Sequence, residues 1–247
     1  MNRTQEQIAD CQSVWDQIQA RYPKFTRRHD PTDNYHGVRE IVLGGSVSWA
    51  GAHERFKPFP GAKVLDLGAN VGIYTAFCAL HGAHVAAYEP DSETFYILSN
   101  MVKDTGLENA ALNNAAVLTY AGRTLFRGFG SETCGRLERN GEAFGPGQTT
   151  SEGGYSAVVD CVSFDDAIGN TDWDCVKIDV EGAEYGMLLY ASGKALRRIK
   201  FVYMELHPWV TQGLYEKTID RLGEFFELEG GKGPNGRWEY LYLRRKP

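Results

Sequence analysis

The stretch Val64-Leu65-Asp66-Leu67-Gly68-Ala69-Asn70-Val71-Gly72 decides how this chain is read. Its first residues form a short apolar run that stops at a glycine, and residues 72–81 continue at helical spacing. A strand that turns through glycines straight into a helix opens a βαβ unit. The glycines let the backbone turn tightly and come close to a ligand.

Working outward, the rhythm continues. Residues 85–89 read as a second strand, 91–103 as a helix and 111–117 as a third strand. After a glycine-rich interruption, strands are expected at 157–162, 173–179 and 200–206, with helices at 164–168, 183–191 and 214–226. Residues 225–228 and 238–243 read as a closing hairpin joined by the glycines between Gly230 and Gly236. Alternating strands and helices imply a parallel sheet covered on both faces. The expected fold is α/β and Rossmann-like: a doubly wound, mostly parallel seven-stranded sheet with a C-terminal antiparallel hairpin.

The glycine spacing discriminates between ligands. A dinucleotide fold uses G-x-G-x-x-G to seat a pyrophosphate on a helix N-terminus. Here the pattern is Gly68-x-x-x-Gly72, with Asp66 just ahead of it. S-adenosylmethionine has no phosphate and carries an ammonium and a sulfonium, so an acid beside the loop favours it. Glu89, ending the second strand, suits the two ribose hydroxyls, although an acid stands there in NAD enzymes too. Asp66, Gly68, Ala69, Asn70, Gly72, Ile73, Tyr74, Glu89 and Pro90 are therefore the candidate cofactor residues. Asn114, Ala115 and Ala116 are expected beside the adenine.

A second acidic group lies further on. Strands buried on both faces are usually continuous apolar runs, yet 173–179 carries Lys177 inside, with Asp179 and Glu181 at its tip. The following strand ends in Glu205 and His207, which alternate onto one face. If the two strands are neighbours, Lys177, Asp179, Glu181, Glu205 and His207 converge on one catalytic site, since charged groups that close shift each other's pKa. Simpler roles compete: Lys177 as a structural partner of Glu205, Glu181 as a first-turn helix residue, and Glu184 as an ordinary helix residue. Asp179, Glu205 and His207 also form a possible donor set for a divalent cation, weakly signalled, and no metal is assigned.

These motifs together resemble the FkbM family of methyltransferases. The resemblance rests on residues 64–75, on Tyr88-Glu89-Pro90, on Asn114-Ala115-Ala116-Val117, on residues 177–184 and on Glu205-Leu206-His207. It implies a class I methyltransferase fold, S-adenosyl-L-methionine as methyl donor, and acceptors that are hydroxyls of sugars or secondary metabolites, with carboxylates in some members.

Two regions fall outside that pattern. Residues 1–62 begin with an amphipathic helical stretch and form an extension that could cap the substrate. The methyltransferase domain spans 63–247 and contains a glycine-rich insertion at 128–156, read as lid or surface loop. Long loops within compact domains are commonly functional or mobile.

Bulk properties narrow the partners. The net charge of −6 and short, scattered basic clusters argue against a nucleic-acid groove. No apolar run is long enough to span a bilayer, and residues 1–21 lack a signal-peptide layout. A cytoplasmic enzyme with a small-molecule or sugar acceptor is the expectation. The five cysteines show no C-x-x-C pair and read as free thiols. The mechanism expected is in-line O-methyl transfer, with His207 or Asp179 as base and Glu181 orienting the acceptor. A carboxylate methyltransferase, a non-catalytic nucleoside-binding module and an NAD-dependent oxidoreductase are the rival readings.

Overall fold

From Lys63 onward the alternation folds into a seven-stranded sheet in the computed structural model. The structure describes residues 56–128, 135–137, 155–207, 213–232 and 236–247, together with Ser13, Asp16 and Ala20. Ser13, Asp16 and Ala20 are helical and exposed. The rest of residues 1–55, and with it the expected cap, lies outside the described residues. Among the described residues, no helix is long and apolar enough to cross a membrane.

In chain order the elements are β1 (Lys63–Leu67), α1 (Ile73–Leu80), β2 (His84–Tyr88), α2 (Ser92–Thr105), β3 (Ala110–Asn113), β4 (Ala116–Leu118), β5 (Gly122–Gly128), β6 (Gly135–Leu137) and β7 (Tyr155–Ser163). There follow α3 (Phe164–Ile168), β8 (Cys175–Ile178), α4 (Glu184–Tyr190), α5 (Gly193–Leu196), β9 (Phe201–Glu205), α6 (Tyr215–Gly223), β10 (Phe226–Lys232) and β11 (Trp238–Arg245). The main sheet runs β10-β11-β9-β8-β1-β2-β3. Its strands pair in parallel from β9 to β3, while β11 is antiparallel to both β9 and β10.

Period-two alternation divides the core between the two faces. Val64 packs on one side with Phe77, Leu98, Met101 and Tyr203. Leu65 and Leu67 pack on the other with Ile168, Leu188, Met204 and Leu241. Helix α2 is well bounded: Asp91 accepts from the Thr94 backbone N–H at 3.0 Å at its start, and Gly106 ends it at φ 69°.

The structure departs from the sequence reading in three places. The run 111–117 is two strands, because the chain breaks at Asn114-Ala115 and β4 leaves the main sheet. A second, four-stranded sheet forms in the order β4-β7-β5-β6. Strand β7, expected to continue the main parallel array, lies in this second sheet, parallel to β4 on one side and antiparallel to β5 on the other. Its burial alternates, with Val159 and Cys161 inside and Val158 and Asp160 exposed, as expected where one face is solvated. The region 128–156 is therefore not a simple loop. It contains β6 and the start of β7; residues 129–134 and 138–154, where the lid was expected, lie outside the described residues. Finally, Gly230 and Gly231 belong to β10 rather than to a turn. An added Cβ on Gly230 would lie 2.1 Å from the Tyr240 carbonyl oxygen, and one on Gly231 would enter the Tyr240 ring.

Candidate functional site

The loop after β1 is pinned from below by neighbouring strands. The Gly68 and Ala69 N–H groups both donate to the Tyr88 carbonyl, at 3.0 and 2.9 Å, and the Asp179 N–H donates to Leu67 O at 3.0 Å. Gly68 has φ 76°, and a Cβ there would lie 1.7 Å from the Asp179 carbonyl oxygen. Gly72, at φ 93°, would meet Leu98 and Met101 of α2. The glycines thus serve packing against β8 and α2. Asn70 stands between them at φ 52°, a left-handed conformation that asparagine tolerates well. Its side-chain oxygen accepts from the Val71 N–H at 2.7 Å.

Glu89 sits just beyond β2, nearly buried. Its Oε2 accepts from the Asn70 N–H and its Oε1 from the Asp91 N–H, each at 2.9 Å. A carboxylate has about four lone-pair sites, so acceptor capacity remains for a ribose diol. Burial raises the Glu89 carboxyl to about 7, against the pull of both N–H donors and of Lys177. Asn114 braces this strand end, donating to Glu89 O at 2.8 Å and to Pro90 O at 3.1 Å. Ala115 and Ala116 are buried behind it.

Asp66, Ile73 and Tyr74 occupy less direct positions. Asp66 is fully buried and bonds Thr75 Oγ1 at 2.7 Å. Tyr74 turns into the core, with its hydroxyl 3.5 Å from Cys175 Sγ, and Ile73 is buried in the same cluster. The sequence reading placed an acid beside the ligand. In the structure Asp66 acts on the loop through Lys177, its register partner on β8. The Lys177 ammonium lies 3.5 Å from both Asp66 Oδ1 and Asp179 Oδ2 and donates to Gly68 O at 2.7 Å. One cation therefore ties the cofactor loop to the tip of β8. Its pKa is raised, because the carboxylates around it outweigh the cost of burial. Of the two roles weighed for Lys177, the structural one takes Asp66 and Asp179 as its close partners rather than Glu205.

The tips of β8 and β9 are adjacent, as expected, with Ile178 opposite Met204. His207 lies just past β9, almost fully buried, between two carboxylates. Its Nε2 is 3.2 Å from Glu181 Oε2 and its Nδ1 3.1 Å from Glu184 Oε1. Burial opposes protonation of the ring, but hydrogen bonds to Glu181 and Glu184 lift its pKa to about 11. Glu205 is raised to about 7, first by burial and then by the Asp179 charge. Asp179, Glu181 and His207 place one ligand atom each within 4.8 Å of one another, a spacing that a cation could bridge. Glu181 thus takes the place that the sequence reading gave to Glu205 in that set.

Three contributors escaped the sequence reading. Glu184 is fully buried and bonds both His207 and the Gly182 N–H. Its place at the start of α4 made it read as an ordinary helix residue. Asp91, the cap of α2, accepts from the Tyr155 hydroxyl at the start of β7. That contact joins the small sheet to the Glu89 strand end. The helix-capping position of Asp91 was a usable signal, whereas the pairing with Tyr155 spans too much sequence to be read.

Residues 66–228 match the methyltransferase FkbM domain family. No curated protein matches the chain in sequence. Among solved structures, a candidate rRNA methylase from Clostridium thermocellum is similar at 11% identity and a TM-score of 0.50, over 81% of this chain and 97% of that one. An rRNA methylase from Streptococcus thermophilus is similar at 14% identity and a TM-score of 0.45, over 77% and 90%. A candidate O-methyltransferase from Klebsiella pneumoniae is similar at 10% identity and a TM-score of 0.45, over 96% and 90%.

Proposed function

The chain belongs to the methyltransferase FkbM family, with S-adenosylmethionine as its methyl donor, and from that premise we propose that it is an O-methyltransferase acting on a hydroxyl of a small molecule or sugar. The observation that supports this reading is the acidic rim at the adjoining tips of β8 and β9, where Asp179, Glu181 and Glu205 gather beside His207. Bound S-adenosylmethionine supplies an electrophilic methyl group; Glu89, the Gly68 to Gly72 backbone and Asn114 would hold it.

An alcohol is a weak nucleophile, so the protein must take its proton as the new bond forms. Both His207 ring nitrogens already face carboxylates, so neither offers a free lone pair to a hydroxyl. The proton falls instead to Asp179 or Glu205. Glu205, raised to about 7, has the affinity of an effective base near neutral pH. Glu181 orients the acceptor. An acidic rim repels a carboxylate acceptor, and Lys177 is engaged by Asp66 and Asp179. A hydroxyl is the better match.

The test is transfer from methyl-labelled S-adenosylmethionine to a panel of sugars, polyols, carboxylic acids and RNA, with the methylated atom assigned by NMR. The expected product is a methyl ether. Asp179→Asn and Glu205→Gln are expected to retain S-adenosylhomocysteine binding, and at least one should lose about 10²-fold or more in kcat. Methylation confined to carboxylates or RNA, or full activity in both variants, would overturn the reading.

A further inference from the structure

Resting on that reading, we propose that Glu184 is a positioning residue for the acceptor site, fixing the His207 ring between the tips of β8 and β9. Glu184 opens α4 and has no exposed surface. Its Oε2 accepts from the Gly182 N–H at 2.8 Å. Its Oε1 accepts from the His207 backbone N–H at 2.9 Å and faces His207 Nδ1 at 3.1 Å. One buried carboxylate therefore joins the loop after β8 to the end of β9.

The consequences follow from the chemistry of the groups. A buried carboxylate is costly unless each oxygen finds donors, and Glu184 finds them on both elements. Because its Oε1 faces Nδ1, that nitrogen must carry the proton. The opposite edge of the ring, Nε2, is thereby aimed at Glu181, whose φ of 50° places it in a conformation uncommon for a non-glycine residue. A glutamine at 184 could not reproduce this. Its amide would turn an NH2 group against either the Gly182 donor or the His207 donors. The logic matches that of a buried acid orienting a catalytic imidazole, but here Glu184 touches no substrate and acts only through His207 and Gly182.

The experiment uses the full chain in two measurements. The first is 15N NMR of the His207 ring in the S-adenosylhomocysteine complex of wild type and Glu184→Gln. A Nδ1-bound proton should be observed in wild type and lost or rapidly exchanging in the variant. The second is a double-mutant cycle of Glu184→Gln and His207→Gln on methyl transfer, using whichever panel acceptor the wild type methylates. Each single change should lower kcat about tenfold or more while leaving S-adenosylhomocysteine affinity unchanged. The double variant should lose no more than the worse single one, which is the signature of coupled residues. Additive losses, or ring signals unchanged by Glu184→Gln, overturn the proposal. If Glu184→Gln does not fold, Glu184→Asp keeps the charge but shortens the reach, and the same loss of the ring signal is expected. If wild type methylates no hydroxyl, the acceptor reading fails, while the ring signals still decide the role of Glu184.

Discussion

Glu89 carries a pH dependence whose direction can be worked out. Its carboxyl rises to about 7 in the free protein because burial outweighs two backbone hydrogen bonds. Ribose hydroxyls donate to the charged form, so binding a nucleoside pulls that pKa down. Affinity for S-adenosylhomocysteine is therefore complete above about pH 7 and falls as the pH drops through it, by at most about tenfold per unit. Calorimetry from about pH 8 to about pH 5 should show this loss, with proton release on binding near pH 7. Glu89→Gln should bind weakly and without the trend; a wild-type affinity flat across that range would exclude Glu89 from the ribose. The linkage to folding has the opposite sense. A carboxyl raised in the folded state adds stability below its unfolded value of 4.5, and that contribution is lost as pH rises towards 7. At this scale Glu89, Asp179, Glu181 and His207 were legible because strand ends in a parallel sheet point toward the ligand crevice. Asp66 was legible as important but not in its role, because its link to Lys177 is a cross-strand pairing between β1 and β8.

Among the elements, the β1 loop and the β8 tip meet at very close range. Gly68→Ala would place a methyl 1.7 Å from the Asp179 backbone oxygen, at φ 76°. The conformational strain of a left-handed alanine and the forced parting of two strands each cost about 1–3 kcal/mol. Together they should lower the melting temperature by roughly 10 °C in a chain of this size and abolish S-adenosylhomocysteine binding. Gly106→Ala is the control, since it has φ 69° but open space around it, and should cost only about 1 kcal/mol. Equal melting temperatures for the two variants would contradict the close approach. The glycine pattern was readable, but its cause was not. Sequence alone suggests a ligand as the close neighbour, and the structure adds the tip of β8 and α2, which no local pattern shows. In the same way Gly230 and Gly231 read as a turn, because nothing local shows that Tyr240 lies over them.

For the whole molecule, the parallel core from β1 to β9 was readable because its strands are apolar runs set between helices. The second sheet was not. Strand β5 begins Gly122-Arg123-Thr124 and is largely solvated along that part, so it carries too little apolar signal to stand out. That second sheet reaches the candidate site, because Tyr155 at the start of β7 bonds Asp91 beside the Glu89 strand end. The two sheets thus meet at the Glu89 strand end, which the proposed reading gives to the nucleoside, while it gives the tips of β8 and β9 to the acceptor. On the proposed reading, methyl transfer takes place at those acidic tips. A crystal structure with S-adenosylhomocysteine tests it most directly. The ribose is expected on Glu89 and the sulfur facing Asp179 and Glu205; a sulfur directed away from both would place the chemistry elsewhere.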